Sequence, residues 1–255
     1  MLNILFPKYC PGCGSVLDQP KILLCISCRN ALPLTQYHLN RNPSIVDKFY
    51  GLLPLERGTA LLHYHKKGLA QRLIHALKYR GEKAIGQWLG QWLGTELKSI
   101  DGYCDISAVV PVPMHPKKLR QRGYNQAAIF GKALAKALDI PLIETLLIQT
   151  QMRQTQAKQG RWERWAKKNS FALNPDYEKL MLQAFLKHKH SNFRPRQNCN
   201  PAMVTAPQIT QSTLRGIKLI LVDDVITTGA TIEACGRILT HELGASLSCA
   251  SIAIA

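Results

Sequence analysis

The sequence has no apolar run approaching the ~20 residues that an α-helix needs to cross a bilayer. It also lacks the charged start and small-residue cleavage site of an export signal, because the apolar stretch Met1 to Phe6 is too short. A cytoplasmic location is therefore expected. The eight cysteines are expected as reduced thiols and not as a secreted disulfide framework. Acidic residues are scarce. Asp and Glu number 16 against 33 Lys and Arg, a formal charge of +17. That imbalance is unusual for a metabolic enzyme and favours polyanionic partners: nucleic acid, phosphorylated small molecules or an acidic membrane surface. A merely basic, soluble surface is the plainer reading. What is present is ample apolar material, 46% of 255 residues. This suits one ordinary domain with a small accessory.

The accessory is expected at the N-terminus, over residues 1–40. Cys10-Pro-Gly-Cys13 and Cys25-Ile-Ser-Cys28 are two CxxC pairs with eleven residues between them. Zinc takes four thiolates in a tetrahedron, and two tight turns of this kind supply them. Gly12 and Gly14 let the backbone bend its amides toward the sulfurs. So short a segment lacks a core of its own, and the metal would supply its folding energy. An iron–sulfur site or a redox dithiol is the alternative, although a thioredoxin-like dithiol needs one CxxC after a strand. Cys235 and Cys249 sit in apolar patterns and read as small core residues.

The remainder, 45–255, alternates apolar strands with helices. Strands are expected at Thr59–Tyr64, Ile106–Pro113, Ile217–Val222 and Leu247–Ile254. Helical spacing follows in Leu69, Leu73, Ala76 and Leu77, and then in Ile85, Trp88, Leu89, Trp92, Leu93 and Leu97. The tryptophans read as a core stripe. Met114 to Gly123 reads as a basic loop, after which Asn125 can cap a helix. This alternation argues for a parallel sheet with helices on both faces. Residues 174–215 break the pattern. Apart from a short helix at Tyr177–Leu186, they read as a mobile surface insertion. Their Lys187-His-Lys-His190 tract reads as solvated loop before it reads as a metal or phosphate site. Met152 to Asn169 carries Arg161, Trp162, Arg164, Trp165, Lys167 and Lys168. It could be a closing lid, a track for single-stranded DNA, or a basic surface helix.

The segment Leu219-Ile-Leu-Val-Asp223-Asp224-Val-Ile-Thr227-Thr228-Gly229-Ala230-Thr231 is the most informative. An apolar strand ends in two carboxylates, then a hydroxyl- and glycine-rich turn opens a helix. The helix N-terminus offers unpaired amides and partial positive charge to an anion. Carboxylates accept well from the vicinal hydroxyls of a ribose. The carboxyl end of a parallel strand is where open α/β sheets bind ligands.

This segment resembles the 5-phosphoribosyl 1-diphosphate signature of the type I phosphoribosyltransferases. Val109-Val-Pro-Val-Pro113 with Arg122-Gly-Tyr-Asn-Gln126, Leu77-Lys-Tyr-Arg-Gly81 and the paired CxxC motifs are similar to the ComF family. The resemblance implies a phosphoribosyltransferase-like sheet fused to a zinc module. It implies that Asp223 and Asp224 take the ribose, that Thr227, Thr228, Gly229, Ala230 and Thr231 bind the 5-phosphate, and that magnesium accompanies the ligand. Arg122 and Asn125 become candidates for the pyrophosphate side and for catalysis; loop packing and helix capping are their plainer roles. Thr227 departs from relatives that place an acid there, and a threonine cannot act as a base near neutral pH. The resemblance implies a role in natural competence, with single-stranded DNA and competence-machinery proteins as partners. An active transferase of nucleotide or other cytoplasmic metabolism, passing phosphoribosyl to an unknown acceptor, is the alternative.

Overall fold

Six strands are present among residues 7–19, 22–150, 171–189 and 216–255, which the computed structural model describes. They are β1 (Leu55–His63), β2 (Ala108–Pro111), β3 (Leu147–Gln149), β4 (Phe171–Leu173), β5 (Lys218–Ile226) and β6 (Ser246–Ile254). β1, β6, β5 and β2 form one parallel sheet in that order, and β3 pairs antiparallel with β4. The helices are α1 (Ile26–Asn30), α2 (Ser44–Lys48), α3 (Leu69–Tyr79), α4 (Lys83–Leu97), α5 (Pro116–Arg122), α6 (Gln126–Leu138), α7 (Tyr177–Lys189) and α8 (Ala230–His241).

Strand alternation divides the core into two layers. Ile220 and Val222 of β5 pack with Leu73 and Leu77 of α3, Leu89 and Leu93 of α4, and Phe130 and Leu134 of α6. Leu219 and Leu221 face the other way, toward Ile45, Phe49, Met181 of α7, and Ile232 and Leu239 of α8. A parallel sheet covered on both faces needs strands that are apolar throughout, which is why these runs do not alternate in polarity. No helix among the described residues is long and apolar enough to cross a membrane.

Helices α4 and α6 touch backbone to backbone through a glycine stripe. A Cβ at Gly90 would stand 2.3 Å from the Phe130 carbonyl oxygen, and one at Gly94 would stand 2.6 Å from Ala137 Cβ. Helix propensity alone favours Gly90→Ala by about 1 kcal/mol. The clash is with main chain, which cannot rotate away, and overpacking costs about 1–3 kcal/mol. We expect Gly90→Ala to lower the urea midpoint with an unchanged m-value; a raised midpoint would show that the helices part freely.

The structure moves several expected boundaries. β5 does not stop at Val222 but carries Asp223 and Asp224 within the ladder, with Asp223 opposite Ser251 and Ile226 opposite Ile254. The basic stretch after β2 is not all loop: Pro116 occupies the first turn of α5, His115 caps it, and Gly123 at φ 76° ends it. The first part of the expected mobile insertion is docked. Met181 is fully buried, and Asn174 donates from its backbone and side chain to the carbonyls of Leu146 and Thr145 at 2.9 Å. Residues 190–215 and 151–170 lie outside the described residues, and with them Trp162, Trp165 and the end of the His/Lys tract. Trp88 and Trp92 are half-buried against the core, as expected of a core stripe. Cys10, Cys13, Cys25, Cys28, Cys235 and Cys249 are free thiols, whereas Cys104 is disulfide-bonded, a departure from the all-thiol expectation.

Candidate functional site

The site forms where the carboxyl ends of β5 and β2 meet. Pro111 lies opposite Val222 in the register, and the Val112 amide donates to the Val222 carbonyl at 2.9 Å. The segment leaving β2 therefore starts beside the acid pair. Because Asp223 and Asp224 are consecutive strand residues, they project to opposite faces. Asp224 points to α3 and accepts from Lys78 Nζ at 2.9 Å. Asp223 lies toward α8, within electrostatic reach of the buried thiols Cys235 and Cys249. Burial first, and then the neighbouring Asp224 charge, push the Asp223 carboxyl up to about 7. The Asp224 amide, 2.7 Å from Asp223 Oδ1, and Lys78 pull in the other direction without prevailing. Burial likewise pushes Cys249 up to about 12.

After Ile226 the chain turns through exposed Thr227 and Thr228 to Gly229, at φ 84°, and enters α8. No side chain caps this helix end; Thr228 Oγ1 only approaches the Ala230 amide at 3.4 Å. The first-turn amides therefore remain available to an anion. Gly229 is required twice over. Its φ is left-handed, and a Cβ would meet the Phe49 ring at 2.8 Å. Lys48 Cε lies 3.8 Å from the same point, so a lysine amine borders this turn.

Arg122 and Asn125 stand on the neighbouring segment. Asn125 caps α6 by accepting from the Ala127 amide at 3.0 Å, and its Nδ2 donates to the Val112 carbonyl at 2.8 Å. Its plainer role, ordering the segment after β2, is thus realised. Arg122 donates to Gln126 Oε1 and to the Tyr79 hydroxyl, both at 3.2 Å, and lies 5.0 Å from the Tyr79 ring centroid. These bonds engage two of its five N–H groups. Tyr124 donates to the Leu77 carbonyl, and Lys83 sits 4.7 Å above the Tyr124 ring. The segments that looked like separate motifs, 77–81, 109–113, 122–126 and 219–231, are therefore one contiguous assembly.

The four N-terminal cysteines are brought together by both turns. Their sulfurs all lie within 4.8 Å of one another, and Cys13 and Cys25 are 3.6 Å apart. Bonds of about 2.3 Å to a tetrahedral ion require sulfurs about 3.8 Å apart, so the set fits a metal such as zinc. The Cys25 and Cys28 amides approach the Cys10 and Cys25 sulfurs at 3.5 Å. A Cβ on Gly12 would lie 2.7 Å from Cys28 Sγ, so the turn closes only with glycine. The Ser15 hydroxyl and amide bring the Cys13 thiol down to about 6. Burial raises Cys10, but amide hydrogen bonds outweigh it and hold the thiol below its ordinary value. Burial and the other three sulfurs push Cys28 up. Thiols this close resist ionising together unless a cation stands among them. Cys10, Leu17, Leu24, Cys28 and Leu32 share their apolar cluster with Leu69 and Leu73 of α3.

Two lysines at the site escaped the sequence reading. Lys78 sits inside the 77–81 resemblance, but nothing local shows that it reaches Asp224. Lys48 carries no motif at all.

An open parallel sheet with an anion-accepting turn at its carboxyl edge and a four-cysteine cluster at its N-terminus defines a class of ligand-binding α/β domain. Within that class, residues of this chain are similar to Competence protein F of Haemophilus influenzae, at 26% identity over 132 residues. The match covers 52% of this chain and 43% of that protein, so the chain spans less than half the length of the curated relative it matches. The resemblance to the ComF family read from the motifs is borne out to that extent. No family model matches the chain. Among solved structures it is similar to a crystal structure of adenine phosphoribosyltransferase, at 18% identity, covering 74% of this chain and 71% of that one. The TM-score is 0.31, and the fold rests on the sheet described above, not on that superposition.

Proposed function

We propose that this chain binds 5-phosphoribosyl 1-diphosphate together with magnesium at the carboxyl ends of β5 and β2. One observation carries the reading: within one strand–turn–helix, an acid pair is followed directly by an uncapped helix N-terminus at Gly229. The turn Thr227 to Thr231 takes the 5-phosphate, with Lys48 beside it. The acid pair takes the ribose hydroxyls, and Arg122 receives the diphosphate. Magnesium supplies neutralising charge to that diphosphate.

As a transferase, the protein would release pyrophosphate from the anomeric carbon while an acceptor bonds there. The acid pair would stabilise the positive charge gathering on the ribose. Thr227 supplies no base, so the acceptor must already be nucleophilic or be deprotonated by another group. We place this activity in natural competence, as a cytoplasmic protein with a structural zinc ion. The similarity to Competence protein F and the charge of +17 support that setting and single-stranded DNA as a partner.

The test is calorimetric titration of the zinc-loaded protein with 5-phosphoribosyl 1-diphosphate and magnesium. The parent should bind, and Asp223→Asn/Asp224→Asn should not. A folded parent that gives no heat overturns the assignment. A parallel titration with oligo-dT at two salt concentrations reads the DNA partner, whose affinity should fall steeply with salt.

A further inference from the structure

Lys78 and Asp224 form a half-buried ion pair 2.9 Å long at the edge of the anion site, with side chains 21% and 16% exposed. Lys78 lies in the last turn of α3, where a cation is favoured by the helix dipole. The next residue, Tyr79, holds Arg122 through its ring and hydroxyl. One helix end therefore places two cations side by side, one bonded to the acid pair and the other stacked beside it.

This geometry sets a condition on any ligand whose hydroxyls claim Asp224. The carboxylate must give up Lys78, and a half-buried ammonium left without a partner is costly. A ribose phosphate with nothing at its anomeric position offers Lys78 no replacement. A ribose bearing a diphosphate there does offer one, because Lys78 and Arg122 approach from the same side.

We infer that Lys78 is a specificity-determining positioning residue: it holds Asp224 in the ligand-free protein and transfers to the diphosphate when the ribose arrives, so that the site discriminates against ribose phosphates that lack the diphosphate. The inference rests on the ligand assigned above. It goes beyond that assignment by naming the residue that makes the diphosphate a requirement for tight binding.

The experiment compares the full, zinc-loaded parent with Lys78→Met, which keeps the apolar stem, and Lys78→Arg, which restores the charge. Each is titrated with 5-phosphoribosyl 1-diphosphate plus magnesium and with ribose 5-phosphate. Lys78→Met should weaken the diphosphate ligand about tenfold or more, the loss of one charged hydrogen bond. The same variant should bind ribose 5-phosphate as tightly as the parent or more tightly, because Asp224 is already released. Lys78→Arg should recover most of the lost affinity. A purely structural lysine would weaken both ligands by the same factor, and that result overturns the inference, as does an unchanged affinity for the diphosphate ligand. A parent that binds neither ligand overturns the ligand assignment itself, which is a different outcome. Thermal unfolding of each ligand-free variant shows that it is folded before it is titrated.

Discussion

Asp223→Asn is expected to stabilise the ligand-free protein above pH 7 while removing its affinity for 5-phosphoribosyl 1-diphosphate. Asp223 is pushed up to about 7 from an ordinary 3.8, first by burial and then by Asp224. The folded state therefore holds a proton that the unfolded chain has already released. Stability contributed by this group is complete below about pH 4, declines as pH rises, and is lost at about pH 7. The charged form carries the penalty, because its carboxylate faces Asp224 and the buried region of Cys235 and Cys249. Only Lys78 and the Asp224 amide oppose it.

An asparagine keeps the shape and cannot ionise, so the decline between about pH 4 and 7 should flatten. The gain at pH 8 should be on the order of a few kcal/mol, since each pKa unit is worth about 1.4 kcal/mol. Ligand binding runs the other way. A ribose and its magnesium need the carboxylate, so the parent should bind more tightly as pH rises through 7. Denaturant melts at pH 5 and pH 8, paired with titrations at both, measure the two slopes. Equal melts of parent and variant at pH 8 would show that Asp223 ionises without penalty, and the pH dependence argued here would be lost.

The residues that set this behaviour were partly visible in the sequence. The acid pair, the turn and Gly229 could be placed because strand, breaker and helix start are local signals. The face of each acid could not, because the apolar run ends at Val222 while the ladder continues to Ile226. Backbone hydrogen bonds do not depend on side-chain polarity, and β6 extends far enough to pair with Asp223 and Val225. The alternation that separates the two acids follows from that extension. Helix α5 was legible in principle, with Pro116 at its start and Gly123 at its end, yet four basic residues made the stretch resemble a loop. Lys78 and Lys48 were not legible at all. Their partners are distant in sequence, and only the closed sheet brings α3 and α2 to the end of β5. The same holds for α7, whose buried Met181 sits in a composition that otherwise reads as solvated.

The second large effect is expected at the four-cysteine cluster. Cys28→Ser should abolish bound zinc and lower the melting temperature by on the order of 10 °C. Zinc binding to short cysteine motifs releases about 10–16 kcal/mol, most of which orders the chain around it. Here that order is shared with the domain, because Leu17, Leu24 and Leu32 pack in the cluster that contains Leu69 and Leu73 of α3. Losing the metal should expose these side chains and free the α3 surface. A net loss of about 4 kcal/mol corresponds to about 8–16 °C for a domain of this size. Because Lys78 and Tyr79 end the same helix, the variant should also bind 5-phosphoribosyl 1-diphosphate more weakly than the parent. Metal content by atomic absorption, a thermal melt and one titration measure the three effects together. Metal loss with an unchanged melt would mean that apolar packing alone holds the segment on α3. Metal loss with a lower melt but unchanged affinity would mean that α3 keeps its end in place without the metal, and the coupling between the two sites would be absent.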